Sequence, residues 1–413
     1  MTSLNFLKDR SLYSKSIVLS LGNMFEFYDI SIYGLLATTI SPLYFPIVNN
    51  INAYIVSFGV FSVAYIARPF GAFVFGYIAD VFGRKRALTL SLLIMSLATG
   101  MIGILPTYEQ IGIFAPLALV FLRFIQGVSA GGEFPNSCIF LLEQSTSHQG
   151  LLSSLIVSSG VVGIIFGSIV CHLASLLNIE NNWRIPFLIG ILIGVVSYMV
   201  RKHLAEVIPI HKNLPLGLRT NFNSAIVTFF ITAFANITFY MIFFYFDCLI
   251  SMVTKYSLSS SKTLYLLIFI IVALCSGLLS DMVGAKKIMQ ISSFLFSLII
   301  FPIIYFLSVS SVGLIYFYKF ILTTLSALFM AVQHKYLIDL WPIEIRCRAI
   351  SILFSIGGSI LGGTTPMFLL LITKLTGYYY VGSFYIIIIS IISFLSITFL
   401  TPGKTAVNHK LTV

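Results

Sequence analysis

Apolar residues run along this chain in blocks of twenty or more, broken by short polar, Gly or Pro clusters. A helix needs ~20 consecutive apolar residues to cross a bilayer. Twelve blocks qualify, over roughly 16–39, 53–79, 87–105, 112–142, 151–177, 185–203, 222–250, 262–280, 287–308, 312–340, 349–374 and 378–401. The longest non-apolar connection, "LAEVIPIHKNLPLGLRTN" at 204–221, divides them six and six. The pattern predicts an all-α membrane protein with twelve transmembrane helices in two six-helix pseudo-symmetric bundles. The bundles are expected over 1–203 and 222–413, with 204–221 as a cytoplasmic linker and a short cytoplasmic tail.

An internal repeat supports that division. "GYIADVFGRKR" (76–86) and "GLLSDMVGAKK" (277–287) align at a constant offset of 201. The offset carries Gly76, Asp80, Gly83 and Lys85 onto Gly277, Asp281, Gly284 and Lys286, and Glu143 onto Glu344. Duplicated helical halves are an architecture of secondary transporters, with the substrate site expected between the halves.

Composition agrees: 58% of residues are hydrophobic and 9% charged, with a mean hydropathy of +1.02, whereas a soluble domain has about 25% charged residues. The net charge of +11 would suggest nucleic acid in a soluble protein. Here sixteen of the 24 Lys and Arg residues fall in segments on one side of the predicted spans and four in the loops on the other. The positive-inside bias therefore places both termini in the cytoplasm. The remaining four, Arg68, Arg123, Lys319 and Lys335, lie within spans. The apolar run after Lys8, Arg10 and Lys15 is longer than a secretory signal and carries charges, so it reads as a retained first helix. Five cysteines without paired or metal-like spacing read as single buried hydrophobes. No nucleotide-binding loop, metal set or catalytic His/Asp cluster is visible. An enzyme, an ATP-driven pump and a cofactor requirement are therefore not expected.

"GNMFEFYDISIYG" (22–34) places Glu26 and Asp29 inside the first span. Each ionised carboxylate facing lipid there costs about 2.5–3.5 kcal/mol. Their spacing puts both on one helical face with Asn23 and Tyr33, where they suit a proton carrier or a polar cluster that pins the helix. Arg123, Gln126, Ala130, Glu133 and Ser137 recur at three and four residues, forming a stripe on the fourth helix. Arg123 can take a carboxylate in a bidentate fork, from Glu26, Asp29 or a substrate. Gly127, Gly131 and Gly132 on that helix and Gly160, Gly163 and Gly167 on the fifth allow close helix approach. We therefore take Glu26, Asp29 and Glu133 as candidate proton-coupling residues, and Asn23, Tyr33, Arg123 and Gln126 as candidate substrate contacts. The second half offers Tyr240, whose ring could face a quaternary ammonium, and Lys319, which could pair with Asp247 or reach outward. Positions 201 on from Glu26, Asp29 and Arg123 are Val227, Phe230 and Thr324, so the charge chemistry concentrates in the first half.

These motifs resemble the major facilitator superfamily and, within it, the metabolite:proton symporters. "RPFGAFVFGYIADVFGRKR" (68–86) is similar to the superfamily signature between helices 2 and 3. "GNMFEFYDISIYG", "RFIQGVSAGGEFPNSCIFLLE" (123–143), "WRIPFLIG" (183–190) and "YEQIGIFAP" (108–116) resemble the proline/betaine branch. The resemblance implies proton-coupled uptake of a small zwitterion or carboxylate across a bacterial inner membrane, by a monomer with no nucleic-acid partner. Proline and glycine betaine are the leading substrates; a dicarboxylate such as 2-oxoglutarate, or shikimate, is the rival. It also implies a cytoplasmic latch built from Asp80 and Arg84 with Arg346 or Arg348, near Glu143. Two departures stand out. The long C-terminal coiled-coil of osmosensing members is not matched, so osmotic gating is not expected, and Ala285 replaces the arginine of the first-half motif.

Overall fold

Each apolar block coincides with a helix in the computed structural model, which describes residues 10–46, 50–82, 84–143, 145, 147–177, 179–202, 221–254, 261–343 and 345–400. The helices are α1 (Arg10–Tyr44), α2 (Asn50–Phe82), α3 (Arg84–Ile104), α4 (Phe114–Glu143), α5 (Gln149–Leu176), α6 (Arg184–Lys202), α7 (Phe222–Val253), α8 (Lys262–Val283), α9 (Ala285–Val309), α10 (Val312–Asp339), α11 (Arg346–Thr376) and α12 (Gly382–Phe399). No strand occurs among the described residues. Several helices overrun the apolar blocks, as α1 does with its 35 residues. Apolarity marks only the hydrocarbon layer, whereas helical hydrogen bonding continues into the polar interface.

Ten of these helices are long and apolar enough to cross a membrane among the described residues. The other two are α1, whose hydropathy is diluted by Asn23, Glu26 and Asp29, and α6, whose apolar part is Arg184–Val196. Polarity runs inward: Phe73 is 72% exposed and Met282 82%, while Glu26, Arg123 and Lys319 are fully buried. Lipid accepts the exposed apolar side chains, and the buried ionic groups need partners inside the protein.

The chain forms two compact units. One takes residues 7–137 and 159–210; the other takes 138–158 and 211–413. The linker proposed at 204–221 lies outside the described residues except for Asn221, as does the tail from 401.

In the first unit, α2 and α4 cross where glycine removes the side chain. A Cβ at Gly127 would lie 2.0 Å from the Ala64 carbonyl oxygen, and one at Gly71 only 1.8 Å from that of Val128. Gly131 sits as tightly against Arg68 O, whereas a Cβ at Gly132 would meet only side chains, the nearest being the Asn136 amide nitrogen at 3.3 Å. Gly163 meets the Met24 backbone, and Gly160 and Gly167 meet Phe27 and Ser31, so α5 packs on α1. With no hydrophobic driving force between helices in lipid, such close contact sustains association. Gly127→Leu is expected to cost about 1–3 kcal/mol or more through overpacking, seen as a large fall in the thermal midpoint of the purified protein. An unchanged midpoint would contradict this crossing.

In the second unit, α7 and α11 each widen to i→i+5 hydrogen bonding, over Met241–Tyr245 and Phe354–Leu361. Such bulges occur frequently at functional sites. Gly357, Gly358 and Gly362 bring α11 against Phe229, Thr232 and Asn236 of α7. Between α8 and α9, Gly284 at φ +90° makes the turn of the second repeat motif, a conformation a β-carbon disfavours.

Candidate functional site

The polar face of α1 is buried and met by four neighbouring helices. Glu26 forms an ion pair at 2.8 Å with Arg68 of α2, and the Arg68 guanidinium lies over the Tyr65 ring. The sequence offered Arg123 as a partner for Glu26, but Arg68 takes that place. Arg68 and Glu26 are 42 residues apart, and no motif joins them. The available signal was physical: a cation within an apolar span requires a partner.

Three residues on from Glu26, Asp29 accepts hydrogen bonds from the Gln126 amide, at 2.9 Å to Oδ1 and 3.1 Å to Oδ2. Thr99 Oγ1 of α3 also bonds Oδ1. Gln126 Oε1 in turn accepts from Arg123 Nη1 at 2.9 Å. One side chain therefore bridges the buried acid and the buried base, with the orientation of its amide set from both ends. Its Nε2 must face the carboxylate and its Oε1 the guanidinium.

Arg123 has few other contacts. Nη2 reaches Phe61 O at 3.4 Å, Nε is buried with no hydrogen-bond partner, and the guanidinium lies 4.3 Å from the centre of the Tyr33 ring. The Tyr33 hydroxyl is likewise buried without a hydrogen-bond partner. Arg68, Lys319 and Lys335, the other three intramembrane cations, end on carboxylates: Glu26, Asp247 and Asp281. Arg123 has no carboxylate within ion-pair distance among the described residues. A buried cation that meets only neutral groups is costly unless something anionic joins it.

The α4 stripe is not continuous. At Gly131 and Gly132 the helix breaks into a turn, and beyond it Glu133 is buried near Ser91 of α3 at 3.2 Å and Ser137 at 3.5 Å. Asn23 donates to Ser159 Oγ at 3.0 Å. The structure thus joins Asp29, Gln126, Arg123 and Tyr33, and gives Glu26, Glu133 and Asn23 separate partners.

In the second unit Lys319 is fully buried and ion-paired with Asp247, with its ammonium 4.9 Å from the Tyr265 ring centre. That resolves the alternative left by the sequence in favour of pairing. Tyr240 is buried between Phe239 and Phe244 and touches the position a side chain at Gly362 would fill.

Of the proposed latch, the side chains of Asp80 and Arg84 lie outside the described residues, as does Glu344. Arg346 pairs with Glu143 at 3.2 Å and donates to Trp341 O, and Arg348 lies in the first turn of α11. Asp281, the repeat equivalent of Asp80, accepts from the backbone amides of Gly150 and Leu151 at the start of α5, at 2.8 and 3.1 Å. It also pairs with Lys335 at 2.7 Å. This carboxylate satisfies amides that a helix start leaves open and complements the positive end of the helix dipole. Among the described residues no group of His, Cys, Asp or Glu could hold a metal ion.

Comparison with known proteins bears on this arrangement. Residues 19–316 match the family model described as Major Facilitator Superfamily. A Staphylococcus aureus (strain COL) protein provisionally named a proline/betaine transporter is 31% identical, over 98% of this chain and 92% of its own length. The "Glycine betaine/proline/ectoine/pipecolic acid transporter OusA" of Dickeya dadantii (strain 3937) is 27% identical over 96% of this chain and 84% of its own. The proton:xylose symporter XylE shares the fold at a TM-score of 0.70 and 12% identity, over 95% of this chain and 96% of that one.

Proposed function

The chain belongs to the major facilitator superfamily, and from that premise we propose that it imports a small zwitterionic metabolite, of the proline or glycine betaine kind, together with protons by alternating access. It is a multi-pass membrane transporter with relatives in the proline/betaine branch, rather than an enzyme. We place it in the bacterial inner membrane as a monomer with both termini cytoplasmic, on the distribution of its Lys and Arg residues. The offset repeat supports two six-helix halves, and the attachment of Asp281 to a helix start supports a like duty for Asp80.

The observation that carries the substrate reading is Arg123, a fully buried cation with no carboxylate among the described residues. A substrate carboxylate supplies the missing anion. Gln126 then couples the two events. Protonating Asp29 removes the charge that Gln126 donates to, which loosens its hold on Arg123 and opens that guanidinium to the substrate. Substrate and proton are in this way bound together and released together. Glu26 and Glu133 are secondary coupling candidates, Asn23 and Tyr33 further substrate contacts, and Tyr240 an aromatic contact for the cationic end of the substrate.

The dicarboxylate rival needs a second cation, for which the second half offers Lys319 within a span. Lys319 is already neutralised by Asp247, which favours a substrate with one carboxylate. Binding measured by calorimetry on the purified protein tests this. Proline or glycine betaine is expected to bind at least tenfold more tightly than 2-oxoglutarate or shikimate. Preferential binding of 2-oxoglutarate would move the assignment to diacids.

A further inference from the structure

A hydroxyl group has one proton to give and two lone pairs to offer. Thr99 of α3 has more acceptors around it than that proton can serve. Its Oγ1 bonds Asp29 Oδ1 of α1 and lies 2.8 Å from the Met95 carbonyl oxygen. It also accepts from Gln126 Nε2 of α4 at 2.9 Å. While Asp29 is ionised, both Oδ1 and Met95 O are acceptors, so Thr99 donates to one of them at a time.

The side chain is held while its O–H remains free to turn. Thr99 is fully buried, and a β-branched side chain is stiff at χ1. Its methyl group faces Gly190 of α6, where a Cβ would lie only 2.8 Å away. The hydroxyl oxygen is thereby kept between α1 and α4.

Two hydrogen-bond patterns fit this geometry without moving a heavy atom. With Asp29 ionised, Thr99 donates to Oδ1, and the two protons of Gln126 Nε2 serve Asp29 and Thr99. With Asp29 protonated, Oδ1–H donates to Thr99 Oγ1, and Thr99 donates back to Met95 O. Gln126 still has Thr99 as an acceptor. Neither pattern leaves a donor of Asp29 or Thr99 buried and unpaired, which would be costly.

We propose that Thr99 is a positioning residue for the transported proton. Its hydroxyl reverses direction as Asp29 gains or loses that proton, and it fixes the proton on Oδ1, the oxygen facing α3. The proposal rests on the reading of Asp29 as the proton carrier. The titratable side chains around the pair are Arg123 of α4, Arg68 and Tyr65 of α2, Glu26, Tyr28 and Tyr33 of α1, and Cys171 of α5. The Thr99 variants keep all of them.

Calorimetric affinity for proline and glycine betaine, measured on the purified protein across a pH series, tests it. In wild type the affinity is expected to fall as Asp29 ionises and Gln126 tightens on Arg123. Thr99→Val removes a charge-assisted bond from the ionised acid and a neutral bond from the protonated one. The first is worth roughly tenfold more, so the midpoint of the profile moves up by about one pH unit. Thr99→Ser keeps the hydroxyl, and its midpoint stays with that of wild type. In Asp29→Asn the profile loses this transition. A Thr99→Val midpoint that does not move, moves down, or is matched by Thr99→Ser would overturn the proposal alone, provided that Asp29→Asn is flat. A wild-type profile in Asp29→Asn would remove Asp29 as the proton carrier, and this proposal with it. Should Thr99→Val not stay folded in detergent, Thr99→Ala, which also lacks the hydroxyl, is held to the same shift.

Discussion

Arg123→Lys is expected to weaken substrate binding by about 10- to 150-fold, from the loss of about 1.5–3 kcal/mol in charge-assisted hydrogen bonding. Lysine keeps the positive charge, so a purely electrostatic role for this position would survive the change. It cannot keep the planar fork that takes two carboxylate oxygens at once. It also has no flat cation to lay over Tyr33, which the guanidinium of Arg123 approaches to 4.3 Å. The Gln126 amide then loses one of the two partners that fix its orientation. Substrate affinity and its pH dependence should therefore change together. Isothermal titration at several pH values measures both; an unchanged affinity with an unchanged pH profile would remove Arg123 from the site.

Glu26→Gln is expected to destabilise the protein more than Arg68→Gln, although the two residues share one ion pair. Removing one member of a buried pair costs about 3–5 kcal/mol when the other is left charged. Arginine cannot shed its proton, so Glu26→Gln strands a permanent cation away from its carboxylate. A carboxylate that loses its arginine can take up a proton and become neutral, which lowers the cost of Arg68→Gln. The double variant should regain part of the loss, because it buries two neutral groups. Thermal unfolding of the three variants in detergent reads out the order. Equal losses that add in the double variant would mean the pair carries no coupling, and Arg68→Gln as the worst of the three would reverse the argument.

The helices and the acidic face of α1 were legible because each rests on local periodicity. Blocks of apolar residues report a span directly, and a spacing of three puts Glu26 and Asp29 on one face whatever lies around them. Gly127, Gly131, Gly160, Gly163 and Gly167 were legible for a related reason, since a small residue at helical spacing advertises close approach. Partner choice was not legible, because it depends on the crossing of helices far apart in sequence. Glu26 meets Arg68 of α2 rather than Arg123, and Glu133 meets Ser91 of α3. Gln126 was visible as a member of the stripe, but its bridging of Asp29 and Arg123 depends on the close approach of α1 to α4. The second repeat motif shows the same division. The offset of 201 singled out Asp281, while its attachment to the amides of Gly150 and Leu151 needed the fold.

The central claim is that Asp29 carries the proton that drives uptake. Its most direct test is uptake of labelled proline and glycine betaine into proteoliposomes, with and without an inward proton gradient, for the wild type and for Asp29→Asn. Wild type is predicted to accumulate at least one of the two above the external concentration only when the gradient is present. Asp29→Asn should lose that accumulation while still exchanging internal for external substrate, because Arg123 and Tyr33 remain. Gradient-driven accumulation that persists in Asp29→Asn would contradict the account and move the search for the proton carrier to Glu26 and Glu133.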